Sequence, residues 1–392
     1  MDTIKARTMS LFIPFLLSGA AAPLAVSPTS MASPLVFRQS PQGIEAHGSV
    51  ADTLERRLLA MGTWLDLRLP SGPATRAQDL AATELALAAI QSVEQRLSSW
   101  RAESELSRLN RTTLESWTPI SAEFAADLTI ACKWRDETQG AFDPSVGALV
   151  HLWGLREGGG AQPKAAAIEA CVAGARAWTF DSKRRQVRRE HTDALLEAGA
   201  FGKGVGLDAA CTALRSAGCQ QAWLNFGGQL AIVGSGINYE FVVAHPMDRS
   251  REAVTLRISH GSLATSGNSE RSILVDGKLR GHILDPRSGM PASNFGSLTV
   301  WAPDATSADC LSTALYVLGP DAALTWAEAR DGIEVLVLET YEGRREPVRV
   351  RATSGIAAIL KAIEDENPAQ ADSRTQLSPL REKLPAKATP SH

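Results

Sequence analysis

Asp309 and Thr313 stand four residues apart in SADCLSTAL, and Lys203 stands among four glycines in EAGAFGKGVGLD, residues 197–208. The apolar spacing of ATSADCLSTALYVL predicts a helix, so Asp309 and Thr313 share one of its faces. A carboxylate and a hydroxyl are hard oxygen donors of the kind Mg²⁺ takes, the remainder of its shell being water and substrate phosphate. The competing reading of such a pair is an ordinary solvated helix face. The glycine stretch reads as a turn entering a helix. Such a turn directs backbone N–H groups and a helix dipole at an anion, and Lys203 adds a charge. The competing reading is a tight strand-to-helix turn with a surface lysine.

Two familiar nucleotide motifs are excluded. A Walker A loop needs a first glycine where Glu197 stands and a Ser or Thr where Gly204 follows Lys203. Gly204-Val205-Gly206-Leu207-Asp208-Ala209 fits G-x-G-x-x-A, but no carboxylate follows at the distance a ribose-binding acid requires; that region reads LNFGGQL. A third cluster lies in GHILDPRSGMPA, where His282, Asp285 and Arg287 surround a Pro-Arg-Ser-Gly turn. His282 is a candidate general base, because an imidazole titrates near working pH; its alternative role is to cap the turn. Asp285 either orients His282 or fixes the turn.

The elements around these residues follow from periodicity. MGTWLDLRL alternates like a half-buried strand. In RAQDLAATELALAAIQSVEQRLSSW, Leu80, Leu87, Ile90, Val93 and Leu97 fall near one helical face. SAEFAADLTIACKWRDETQG is a second helix closed by Gly140, and KAAAIEACVAGARA a third. WTFDSKRRQVRRE reads as a hairpin turning at Asp181 and Ser182, its arginines on a solvated face. The later half is strand-rich, with a hairpin turn at Asp276-Gly277. Strands and helices are segregated rather than alternating, which points to an α+β fold.

The chain has 392 residues, 44% of them hydrophobic, and a formal net charge of -3. That supports a sizeable core and offers no basic excess for nucleic acid. Five cysteines with irregular spacing indicate neither a disulfide framework nor a zinc site. Lys5 and Arg7 followed by the run MSLFIPFLLSGAAAPLAV have the order of a secretory signal. We therefore divide the chain into a signal peptide or N-terminal anchor (1–32), a linker (33–52), a globular domain (53–364) and a disordered tail (365–392). The protein is expected to be exported, periplasmic or associated with the inner membrane and facing the periplasm.

The motifs MGT, SxLSRLN, GAFDPSVGALVHLWG, the GKG loop, LNFGG, TSGN, HILDPRSGMP and AD–T–AL–VLG follow in this order over about residues 60 to 320. Together they resemble the ApbE family of FAD:protein FMN transferases. The resemblance implies a single α+β domain of two interleaved lobes, with antiparallel-rich sheets, flanking helices and FAD in a groove between the lobes. It implies that Met61 and Trp100 line the flavin pocket and that Ala141, Phe142 and Asp143 contact the adenosine end. It places Leu284 against the cofactor, and Glu197 and Lys203 in the glycine loop. The family loop reads DLGGIAKGYAVD, so Glu197 replaces an aspartate and Ala200 a glycine. The implied metal ligands are the Ala200 carbonyl, Asp309 and Thr313; Ser312 replaces an acidic ligand of some relatives.

The activity so implied is Mg²⁺-dependent transfer of the FMN moiety of FAD, a substrate here, to a Ser or Thr hydroxyl of an exported or membrane-bound acceptor flavoprotein. AMP would be released, and Lys203, His282 and Asp285 are the catalytic candidates. A homodimer is the candidate assembly. Two rivals stay open: an Mg²⁺-dependent FAD pyrophosphatase, with water in place of the acceptor, and a non-enzymatic FAD-binding or scavenging protein.

Overall fold

The computed structural model describes residues 35–38, 53–268, 272–340 and 348–361, which belong to one compact unit. The chain begins with β1 (Leu35–Arg38), β2 (Thr53–Ala60), β3 (Thr63–Pro70), α1 (Arg76–Leu97), α2 (Glu105–Leu109), β4 (Trp117–Pro119) and α3 (Ala122–Glu137). It continues with α4 (Gly147–Leu152), β5 (Gly159–Gly160), α5 (Ala165–Ala175), β6 (Trp178–Asp181), β7 (Gln186–Arg189) and α6 (Gly202–Ser216). A strand-rich part follows: β8 (Ala222–Phe226), β9 (Gln229–Val233), β10 (Tyr239–His245), β11 (Asp248–Ile258), β12 (Gly261–Gly267), β13 (Ser272–Val275) and β14 (Lys278–Gly281). The last elements are β15 (Gly296–Ala302), α7 (Ala305–Leu318), α8 (Pro320–Glu328), β16 (Glu334–Glu339), β17 (Arg349–Ala352), α9 (Ser354–Ile359) and β18 (Leu360–Lys361).

Eight strands form one antiparallel sheet in the order β17-β16-β15-β12-β9-β8-β3-β2, so strands from early and late sequence lie side by side. The α+β expectation holds, with antiparallel sheets and helices packed on their faces. Side chains of a strand alternate between faces, and β9 shows what that does here. Ala231 and Val233 pack with α1 and α6, whereas Leu230 and Ile232 pack against Phe241, Val243, Val254 and Leu256 of a second antiparallel sheet, β1-β10-β11-β18. β16 divides likewise, Val335 and Val337 to one side and Leu336 and Leu338 to the other. Its unbroken apolar sequence reflects burial on both faces.

Several expectations change. β1 pairs with β10, from Leu35↔Val243 to Arg38↔Glu240, within the stretch 33–52 read as linker. The segments read as signal and tail, 1–32 and 365–392, lie outside the described residues. On α1 the buried positions are Ala82, Thr83, Ala86, Ile90, Val93 and Leu97, while Leu80 is exposed. The helix packs on α6 through small residues, so its contact stripe is displaced from the leucines. In the β6–β7 hairpin the turn is later than expected, with Arg185 at φ 54°. Arg189 is buried rather than solvated. Its guanidinium donates to the carbonyls of Ala194, Asn110 and Thr192, at 2.7 Å from Nε, 2.5 Å from Nη1 and 2.9 Å from Nη2.

Candidate functional site

The glycine stretch is helix from Gly202 onward, with Phe201 as its N-cap, rather than a loop entering a helix. Its glycines permit close approach. A Cβ on Gly204 would meet the Ala305 carbonyl oxygen at 2.4 Å and Thr306 Cα at 2.7 Å. The first turn of α6 therefore touches the first turn of α7, and the two helices exchange carboxylates. Asp309 of α7 accepts from the Gly204 N–H at 3.0 Å and from Lys203 Nζ at 3.0 and 3.3 Å. Asp208 of α6 accepts from the N–H groups of Ala305 and Thr306, both at 2.8 Å, and from Thr306 Oγ1 at 2.6 Å. Each carboxylate satisfies N–H groups that a helix start leaves unpaired. Burial pushes the Asp208 carboxyl above its ordinary range, and the three hydrogen bonds oppose that rise.

Of the residues read as metal ligands, Asp309 and Thr313 lie on α7, one turn apart. Every position from Ala305 to Tyr316 is buried except Thr313. Thr313 thus marks the side on which α7 opens to solvent. Ala200 is half-buried against the main core, two residues before α6. The Ser312 hydroxyl donates to the Asp309 carbonyl and accepts from Ser266 Oγ, both at 3.0 Å, which ties α7 to β12. Among the described residues no three His, Cys, Asp or Glu side chains form a metal cluster.

Met61 and Gly62 form the two-residue turn of the β2–β3 hairpin at φ 45° and 74°, so Met61 ends no strand but caps one in a left-handed conformation. A Cβ at Gly202 would lie 3.5 Å from Met61 Cε, and one at Gly206 3.5 Å from its Sδ. Met61 therefore lies over the glycine face of α6. The Gly227-Gly228 turn of β8–β9 is adjacent, since Gly227 N–H donates to the Trp64 carbonyl at 2.9 Å. Gln229, a residue the sequence reading passed over, is buried and donates to the Ala305 carbonyl at 2.7 Å, at the start of α7.

Ala141 and Phe142 are buried, and the Phe142 ring meets Phe201 edge-on at 6.2 Å, so its side chain belongs to the core. Asp143 accepts from the N–H and hydroxyl of Ser145, at 2.8 and 2.6 Å, which fixes the Asp-Pro turn. That turn abuts the glycine segment, because the Glu197 N–H donates to the Pro144 carbonyl at 2.7 Å. The Glu197 carboxylate accepts from Ser99 Oγ at 2.7 Å, from the Gly199 N–H at 3.2 Å and from Arg156. Arg156 also stacks on Trp100, at 4.7 Å from the ring centroid. Arg156 and Ser99 were missed from sequence. Both flank quoted motifs, and nothing local marks either as a partner of Glu197.

His282 is half-buried in the bend that follows β14. Asn268 of the TSGN motif holds its surroundings. The Asn268 Oδ1 accepts from the Ile283 N–H at 3.4 Å, and its Nδ2 donates to the Ala292 carbonyl at 3.2 Å. Asp285 receives Arg287 Nε at 2.9 Å, Nη2 at 3.0 Å and the Arg287 N–H at 2.9 Å. Of the two roles left open for Asp285, these bonds are those of fixing the turn. Leu284 is buried among Ala148, Leu149 and Trp153. The loop packs near the Asp143 turn, since a Cβ at Gly140 would lie 3.6 Å from Arg287 Cγ.

The junction of α6 with α7, the Met61 turn, the Glu197 segment and the His282 loop thus account for the motifs read from sequence. The sequence model of the ApbE family matches residues 61–337. The chain belongs to the ApbE family. The resemblance read from the motifs is borne out. A Haemophilus influenzae FAD:protein FMN transferase is 29% identical over 300 residues, covering 72% of this chain and 86% of the relative. The Escherichia coli K12 protein of the same name is 29% identical over 320 residues, covering 78% and 88%. The ApbE protein of Thermotoga maritima superposes with a TM-score of 0.69 at 26% identity, over 78% of this chain and 99% of that one.

Proposed function

We propose that this chain is an FAD:protein FMN transferase, which moves the FMN moiety of FAD onto a Ser or Thr hydroxyl of an acceptor protein and releases AMP. The observation that carries the reading is the meeting of Lys203 with Asp309, 3.0 Å apart at the start of α6, one helical turn from the half-buried Thr313 of α7. A flavin carrier has no need of a cation and a carboxylate converging at a helix start. A diphosphate-cleaving enzyme does.

The residues present fit a divalent cation. Asp309, Thr313 and the Ala200 carbonyl are all oxygen donors, which suits Mg²⁺. When bound, the ion would neutralise charge building on the diphosphate. The chain's own groups do the rest. The start of α6 favours an anion through its dipole, and Lys203 adds a full charge there. His282 takes the proton that the acceptor hydroxyl loses as its oxygen bonds to the FMN phosphorus. The bond from that phosphorus to the oxygen bridging to AMP breaks, and AMP leaves with the bridging oxygen. Met61 and Trp100 supply apolar and aromatic surface for the flavin.

The N-terminal pattern of Lys5, Arg7 and the following apolar run supports export and an acceptor on the same side of the membrane. The decisive experiment incubates the purified protein with FAD and Mg²⁺, with and without a Ser/Thr acceptor peptide, and reads both products by mass spectrometry. Transfer predicts a flavinylated peptide and AMP only when the acceptor is present. Free FMN and AMP without acceptor would make the protein a pyrophosphatase, and intact FAD in both arms a carrier.

A further inference from the structure

We propose that Arg156 is a positioning residue of the flavin site, which holds the Trp100 indole and the Glu197 carboxylate as one unit. The inference rests on the reading that Trp100 faces the flavin.

Arg156 lies in the segment between α4 and β5, and its side chain is only 17% exposed, although the neighbouring Trp100 is 74% exposed. Its Nη1 donates to the Ser99 carbonyl at 3.2 Å, and its Nη2 donates to Glu197 Oε2. The guanidinium lies over the Trp100 ring, with Cζ 4.7 Å from the centroid. Glu197 completes a closed circuit, since its Oε1 accepts from Ser99 Oγ at 2.7 Å. One side chain thus ties three separate segments together: the chain just after α1, the segment after α4 and the stretch leading into α6.

The physical consequence concerns Trp100. An indole this exposed would otherwise sample several rotamers, and ordering it on ligand binding would cost entropy. The stacked guanidinium fixes the ring beforehand and covers one of its faces, so an aromatic ligand must stack on the other. Lysine could keep the ion pair with Glu197 but has no planar group to lie on the indole. Glu197 also gains a defined task. Its carboxylate is taken up by Arg156, Ser99 and Gly199 and acts on the ligand through them.

The test is a double-mutant cycle on FAD affinity, measured without divalent cation so that no turnover occurs, with the flavin circular-dichroism band as a second readout. Arg156→Ala and Arg156→Lys are each expected to weaken FAD binding by roughly five- to tenfold and to diminish the band, in keeping with the loss of a partly buried cation–π contact. Arg156→Lys, which keeps a charge beside Glu197, should melt close to wild type, whereas Arg156→Ala should melt lower and is read only on the folded fraction. In the presence of acceptor, KM for FAD should rise while kcat is kept. Arg156→Ala placed on Trp100→Ala should weaken binding no further than Trp100→Ala alone. Additive losses, or full affinity in Arg156→Lys, would overturn the proposal and leave the transferase reading intact. Unchanged affinity in Trp100→Ala would overturn the placement of Trp100 and the proposal with it. A wild-type protein that does not bind FAD would overturn the function itself.

Discussion

Asp208 and Asp309 cap one another's helices. Asp208 on α6 accepts from the first N–H groups of α7, and Asp309 on α7 accepts from Gly204 N–H at the start of α6. The two differ in what else they touch. Asp208 is engaged wholly by the start of α7, whereas Asp309 also holds Lys203, 31% exposed, on the side where Thr313 opens to solvent. On the proposed function, the first is a structural clip alone, and the second also serves the chemistry. Asp208→Ala should lower stability by about 1–3 kcal/mol, as expected when buried N–H donors lose their acceptor, with FMN transfer per folded molecule unchanged. Asp309→Ala should abolish transfer. Denaturant unfolding alongside a transfer assay separates the two, and equal loss of activity in both variants would deny the distinction.

The glycines of α6 divide in the same way. Ala at 204 would place its Cβ 2.4 Å from the Ala305 carbonyl oxygen, which forces the helices apart. Ala at 206 would meet Phe226 at 3.4 Å and Met61 Sδ at 3.5 Å, an ordinary contact, and would gain helix propensity. Gly204→Ala is therefore expected to cost about 1–3 kcal/mol, and Gly206→Ala to be neutral or stabilising by about 0.5–1 kcal/mol. Melting temperatures of the two variants check this. Equal destabilisation would indicate that the stretch is a glycine-dependent loop after all.

This contrast also shows what was legible in the sequence. The Asp276-Gly277 turn, with φ 45° and 73°, was readable because the chemistry that sets it is local. So were the strand ladders and the helix α7, whose patterns repeat over many residues. The glycine stretch stands out in the sequence, but its helical conformation from Gly202 onward does not. Four glycines suggest a loop by propensity, yet three of them lie in α6, and the close approach of Ala305 to Gly204, from about a hundred residues later, is not legible locally. Arg189 failed for a related reason. Its buried carbonyl partners come from two other segments, so an alternating charged strand gave no hint of burial. Asp309 and Thr313 were legible as a pair because both lie on one helix, whereas Arg156 and Glu197 meet only through the fold.

Asp127 on α3 supplies a pH signature independent of catalysis. Burial pushes its carboxyl up to about 6, against the opposing hydrogen bond from Arg96 Nε at 2.7 Å. The folded state thus holds this proton more tightly than the unfolded chain, whose carboxyl titrates near 3.9. The stability attached to that proton is greatest below about pH 4 and is lost as pH rises through about 6. Asp127→Asn should remove this slope, so its stability should vary less than that of wild type between about pH 4 and 6. Urea midpoints measured across that range decide the matter, and parallel profiles would show that Asp127 keeps an ordinary pKa.

His282 carries the remaining prediction. It is half-buried, directly after β14, in a bend whose backbone is held by Asn268 through Ile283. The bend therefore keeps its backbone course through Asn268 whatever side chain stands at 282. Asp285, whose carboxylate is taken up by Arg287, does not replace it. His282→Ala should therefore retain FAD affinity and melting temperature while losing transfer by about 10²- to 10⁴-fold, the usual worth of a general base. Asn268→Ala should show a smaller loss, because it loosens the loop and leaves the imidazole in place. Acceptor labelling by His282→Ala at the wild-type rate would remove His282 from the reaction and shift the search for the base to the acceptor itself.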